Sequence, residues 1–112
     1  MKQTCTDIIK LNVVPIPKRF MLMGQMIEVE WDELLHHNED SLGMAVYSEN
    51  KVLLQPSIKG QPTVKDQMEE VFLHELFHWV FKLLGRRDLR TDETLVEQIA
   101  NLVHQAYKTA EY

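Results

Sequence analysis

One cysteine, Cys5, is all the thiol chemistry that this chain of 112 residues has. That excludes an internal disulfide and a cysteine-rich zinc site, and it fits a reducing compartment. An excess of positive charge is also missing. The formal net charge is −5 at pH 7, and lysines and arginines are scattered apart from Arg86, Arg87 and Arg90. Without a basic face, electrostatic capture of nucleic acid is disfavoured. No apolar run approaches the roughly 20 residues of a membrane span, and the first residues lack the charged-then-apolar order of a secretory signal. The expectation is a cytoplasmic protein with neither a nucleic-acid nor a membrane partner. Internal repeats and low-complexity tracts are absent as well.

What is present is a hydrophobic fraction of 45%, enough for one compact domain with a small core. Residues 1–18 read as an N-terminal arm, with an apolar patch from Ile8 to Val14 and then Pro15 and Pro17, which block regular strand pairing. Strands are expected over 19–55. Ile27, Val29 and Trp31 alternate with Glu28 and Glu30, and Gly24 supplies a turn behind Phe20 to Met23, which makes a hairpin. The acidic stretch 32–41 carries His36 and His37, read as solvent-facing loop residues. Leu42 to Tyr47 and Lys51 to Gln55 form a second hairpin around Ser48, Glu49 and Asn50. Pro56, Gly60 and Pro62 end the strand region. Two helical segments follow, 63–85 and 91–110. The first has Thr63 as a candidate N-cap, a body from about 64 to 84 and Gly85 as its stop, and the second is capped by Thr91 or Asp92.

The first helix carries the chemistry. Residues 74–78 read His-Glu-Leu-Phe-His, an HExxH motif inside an otherwise almost wholly apolar run from Val71 to Leu84. Two imidazoles and a carboxylate in such a run cost desolvation energy unless something pairs with them, and a divalent metal suits that set. Four residues of helix advance about 6 Å and return to the same face, so His74 and His78 can offer nitrogens to one tetrahedral ion. Glu75 lies about 100° round from His74, beside such an ion, placed to act as a general base toward an attacking water. A third protein ligand has to come from elsewhere, leaving a fourth position open for catalysis.

A short connection between the two helices makes them antiparallel neighbours, so residues equally far from the turn face each other. By that count Glu97 comes nearly level with His78 and is the first candidate for third ligand, with Glu93, one turn nearer the loop, as the fallback. Asn101 comes level with His74, where it is either a second-helix group that orients a ligating ring or a plain polar helix residue. His104, one turn deeper, is a candidate donor to the oxyanion of a tetrahedral intermediate. Leu95, Val96, Ile99, Leu102, Val103 and Ala106 form the expected buried arc, and Trp79, Phe72, Phe77 and Phe81 read as core or cleft wall.

Taken together, the HELFH helix, the run Glu97-Gln98-Ile99-Ala100-Asn101 in the style of an ExxAN pattern, and the glycine-turn hairpin upstream resemble the small zinc metallopeptidases of the ImmA/IrrE type. Many of that group are carried by phages and mobile elements. The resemblance spans about Arg19 to Ala106, and its specific part is confined to the two helices. It implies an α+β, zincin-like minimal metallopeptidase domain over 1–112, with a small antiparallel sheet of two hairpins packed on the HExxH helix and a second antiparallel helix. It also implies the gluzincin pattern, with Zn2+ on His74, His78 and Glu97, Glu75 as general base, and a peptide or protein as substrate. Zincins with a histidine third ligand fit worse, since Phe81, Lys82 and Leu84 occupy their positions. The larger peptidases of the type carry an extra subdomain and a clear transition-state donor, which this chain lacks. The rival expectation is a non-catalytic zinc-binding interaction protein, which would close its site with a fourth protein ligand such as Glu93 or His104.

Overall fold

A computed structural model of the chain describes residues 15–35, 41–58, 61–62 and 65–112. Cys5, the Ile8 to Val14 patch, His36, His37 and Thr63 lie outside the described residues. The first hairpin forms as the alternation predicts: β1 (Arg19–Leu22) pairs antiparallel with β2 (Gln25–Trp31). Its turn residues Met23 (φ 50°) and Gly24 (φ 77°) are both left-handed, the conformation that matches the twist of a two-residue hairpin. The second hairpin joins β3 (Gly43–Val46) to β4 (Lys51–Leu54) through a 3₁₀ turn at Tyr47–Glu49 and a left-handed Asn50.

The sheet is mixed, which corrects the expectation of a purely antiparallel one. Its order is β1-β2-β4-β3, and β2 runs parallel to β4, with Val29 opposite Val52 and Trp31 opposite Leu54. The hairpins dock through β4, the strand with two wholly buried apolar residues, Val52 and Leu54, and this leaves β3 on the edge. Burying the more apolar strand centrally removes more hydrocarbon from water. Trp31, at the end of β2, is half exposed. Two further short strands, β5 (Ser57–Ile58) and β6 (Gln61–Pro62), pair with each other.

The first long helix, α1 (Lys65–Leu83), lies across the sheet. Met68, Phe72, Leu73 and Trp79 pack with Ile27, Val29, Val52 and Leu54. Phe20 meets Phe72 edge to face at 5.8 Å, and the Trp79 indole donates to the Lys51 carbonyl at 3.2 Å. Gly85 ends the helix in the left-handed conformation (φ 71°), with its amide on Lys82 O and the next amide on Phe81 O, a Schellman closure. A single helical turn, α2 (Arg87–Arg90), then leads into α3 (Glu93–Thr109). The side chain of Asp92 caps α3 by accepting from the Leu95 amide at 3.0 Å.

Helix α1 is therefore covered twice, by the sheet on one side and by α3 on the other. The buried stripe of α3 is Val96, Ala100 and His104, while Leu102 (66% exposed) and Ala106 face outward. The apolar arc read from the sequence is thus rotated. Glu93, Glu97, Ala100 and His104 recur at the spacing of one helical face, and polar pairing turns that face toward α1, with Ala100 and His104 buried and Glu93 and Glu97 exposed. Among the described residues, no helix is long and apolar enough to cross a membrane.

Candidate metal centre

On α1, His74 and His78 stand one turn apart with ring centroids 4.8 Å from each other, and their Nε2 atoms approach to 3.1 Å. A carboxylate from α3 joins them. Glu93 Oε1 lies 2.9 Å from His74 Nε2 and 3.2 Å from His78 Nε2. Glu97 approaches the same ring from its other side, with Oε1 2.7 Å from His74 Nδ1.

The residue ranked second from the sequence, Glu93, is thus the one that meets both Nε2 atoms, and Glu97 meets only the far nitrogen of His74. The offset of one turn comes from the connection between the helices. Arg87–Arg90 coil into a turn of their own, so α3 begins opposite the His74–His78 pair and not one turn nearer the loop. The Asn101 side chain is exposed, and the rings of His74 and His78 pair with Glu93, Glu97 and each other. His104 does not reach the histidine pair. It is buried against Glu69, with Nε2 2.7 Å from Glu69 Oε1.

The donor chemistry of this triangle favours a cation at its centre. A carboxylate on Nδ1 of His74 holds the ring hydrogen on that nitrogen, so the neutral ring presents a lone pair at Nε2. That lone pair faces another imidazole nitrogen and a carboxylate oxygen, a repulsive arrangement unless a proton or a metal ion lies between them. His74, His78 and Glu93 offer one ligand atom each within 4.8 Å of one another, and the group could hold a metal ion. Tetrahedral zinc with bonds near 2.0 Å sets its donors about 3.3 Å apart. Separations of 2.9, 3.1 and 3.2 Å are close to that edge length.

Glu75 sits beside the triangle, 8% exposed. Burial pushes its carboxyl up from 4.5 to about 7; His74 and the Ala45 amide pull it down, and Glu93 and Glu97 push it further up. A carboxylate that gains and loses its proton near neutrality is suited to general acid–base work. The close approach of β3 depends on Gly43: a Cβ there would fall 2.6 Å from Val71 Cγ1 and 3.1 Å from Glu75 Cγ. The absence of a side chain at Gly43 is what lets the edge strand lie directly over the acid.

Between β3 and α3 a cleft opens, lined by Gly43, Met44, Ala45, Tyr47, His74, Glu75, His78, Arg90 and Glu93. Tyr47 and Arg90 were not singled out from the sequence. The Arg90 guanidinium lies over the Tyr47 ring at 5.3 Å. Burial raises the Tyr47 hydroxyl above its usual range, with the hydrogen bond to Arg90 opposing that rise. No local motif marks either residue, because α2 and the 3₁₀ turn bring them together only in the folded chain. Comparison with protein-family models, with curated proteins and with solved structures finds no match to this chain.

Proposed function

We propose that this chain is a zinc-dependent peptidase with a minimal zincin-like fold. The observation that carries the reading is the triangle of His74, His78 and Glu93 donors with the buried Glu75 next to it in an open cleft. Bound there, a zinc ion supplies Lewis acidity, which polarises a carbonyl and makes water a nucleophile at neutral pH. His74, His78 and Glu93 would hold it, and Glu97 would fix the His74 ring by accepting from Nδ1, as carboxylates behind ligating histidines do.

The remaining work falls to the chain itself. Glu75 accepts a proton from the attacking water and delivers it to the departing amine, a role its buried place on the cleft beside the histidines fits. As the edge strand of the sheet, β3 can take an extended peptide by strand addition beside the histidines. Main-chain pairing of that kind gives affinity with modest sequence demand, so the substrate class is a flexible peptide or an unfolded segment of a protein partner.

The test is parallel measurement of zinc content and cleavage of a quenched-fluorescent peptide library for wild type and Glu75→Gln. Zinc in both with cleavage only in wild type is the expected result. Zinc in both with cleavage in neither would assign the metal to a non-catalytic role.

A further inference from the structure

Toward the start of α1 and the end of α3, a second set of ionisable groups converges, and it has no part in the proposed hydrolysis. Glu69 is 1% exposed and His104 5% exposed, with His104 Nε2 2.7 Å from Glu69 Oε1. His104 Nδ1 lies 3.4 Å from Glu70 Oε2. At the rim, Lys108 Nζ is 3.1 Å from Asp66 Oδ1 and 3.8 Å from Glu69 Oε1. Asp66, Glu69 and His104 each offer a ligand atom within 4.8 Å of the others.

One atom in this cluster is unsatisfied. Glu69 Oε2 is buried and has no hydrogen-bond partner among the described residues. A buried carboxylate oxygen left in that state is costly, and such groups in folded proteins are almost always paired. An imidazolium at His104 would bond Glu69 Oε1 and still leave Oε2 alone. Lys108 balances charge from the surface but stands beyond hydrogen-bond range of Glu69. A cation chelated by both oxygens of the Glu69 carboxylate would satisfy Oε2 as well as Oε1.

We infer that Asp66, Glu69 and His104 form a second divalent-cation site, which takes a first-row transition ion such as zinc and pins α1 to α3. One imidazole with carboxylates suits such an ion better than calcium or magnesium, which take all-oxygen shells. Glu70, facing His104 Nδ1, plays the orienting part that Glu97 plays for His74. Lys108, the neighbouring cation, swings out when the ion enters; its long stem reaches the cluster from the surface.

Equilibrium dialysis against zinc chloride, read by elemental analysis, tests the site. Wild type is expected to bind two zinc ions, and Glu69→Gln and His104→Gln one each. His74→Ala is also expected to bind one, and the double variant His74→Ala/Glu69→Gln none. Equal stoichiometry in wild type, Glu69→Gln and His104→Gln overturns the inference. Failure of the HExxH centre would instead appear as His74→Ala matching wild type. If circular dichroism shows the Glu69 or His104 variants unfolded, Lys108→Met and Asp66→Asn decide. Removing the competing ammonium should tighten this second zinc about tenfold, and removing the Asp66 charge should weaken it as much. Unchanged binding in both overturns the inference.

Discussion

The same two helices build two histidine–carboxylate clusters, and they differ chiefly in their access to solvent. At one end, the side chains of Glu93 and Glu97 are 69% and 57% exposed and the histidines open into a cleft. At the other, Glu69 and His104 are sealed between the helices. In each, one histidine nitrogen faces a carboxylate behind it and the other faces the shared centre. The pairing chemistry is thus alike, and exposure separates the roles: an open cluster can admit water and substrate, and a closed one can only hold α1 against α3.

The largest effect expected is on chemistry at the open end. Glu75→Gln should lower peptide cleavage by about a hundredfold to ten-thousandfold while zinc stays bound, since it removes the proton acceptor and none of the ligands. Glu69→Gln, at the closed end, should leave the cleavage rate of the folded fraction nearly unchanged. Equal losses of activity in the two variants would erase the distinction.

Next in size is the pH dependence of the metal-free protein. With its carboxyl raised from 4.5 to about 7, folded Glu75 keeps a proton that the unfolded chain has already released. Its contribution to stability is therefore full below about 4.5 and is lost as pH rises through about 7. On the order of 3 kcal/mol should disappear across that window in urea titrations of chelated wild type, and Glu75→Gln should flatten the profile.

Gly43→Ala comes third. The new Cβ must push β3 away from Val71 and Glu75, costing about 1 to 3 kcal/mol in denaturant unfolding and shifting the acid. Cleavage should fall with stability, whereas zinc held by Asp66, Glu69 and His104 should not respond. Smallest is Asp92→Ala. Loss of the cap on α3 costs about 1 kcal/mol and frays the turn that carries Glu93. Zinc affinity should weaken at the open cluster alone, which separate titrations in His74→Ala and Glu69→Gln backgrounds would reveal.

The sequence made the local features readable and the relative placement of elements less so. The hairpin turn at Gly24, the stop at Gly85 and the cap at Asp92 each depend on a few neighbouring residues, and all form as expected. The parallel junction of β2 with β4 depends on which strand buries more surface after the hairpins meet, and alternation within a strand carries no trace of that choice. The His74, Glu75 and His78 grouping follows from helix geometry alone. The level of Glu93 against Glu97 required knowing that Arg87–Arg90 form a turn and not an extended link, a shift of one helical turn. His104 illustrates the same limit. Its place on the helix face was readable, but the partner waiting there, Glu69, lies 35 residues earlier in the chain.

In the proposed centre Glu93 closes the metal triangle and Glu97 supports it from behind. Zinc affinity of Glu93→Ala and Glu97→Ala, measured by competition with a chromophoric chelator in the Glu69→Gln background, tests it most directly. A loss of about 10- to 100-fold is expected for Glu97→Ala, as for other groups that orient a ligating histidine, and a larger loss for Glu93→Ala. Zinc bound normally by Glu93→Ala and lost in Glu97→Ala would contradict it.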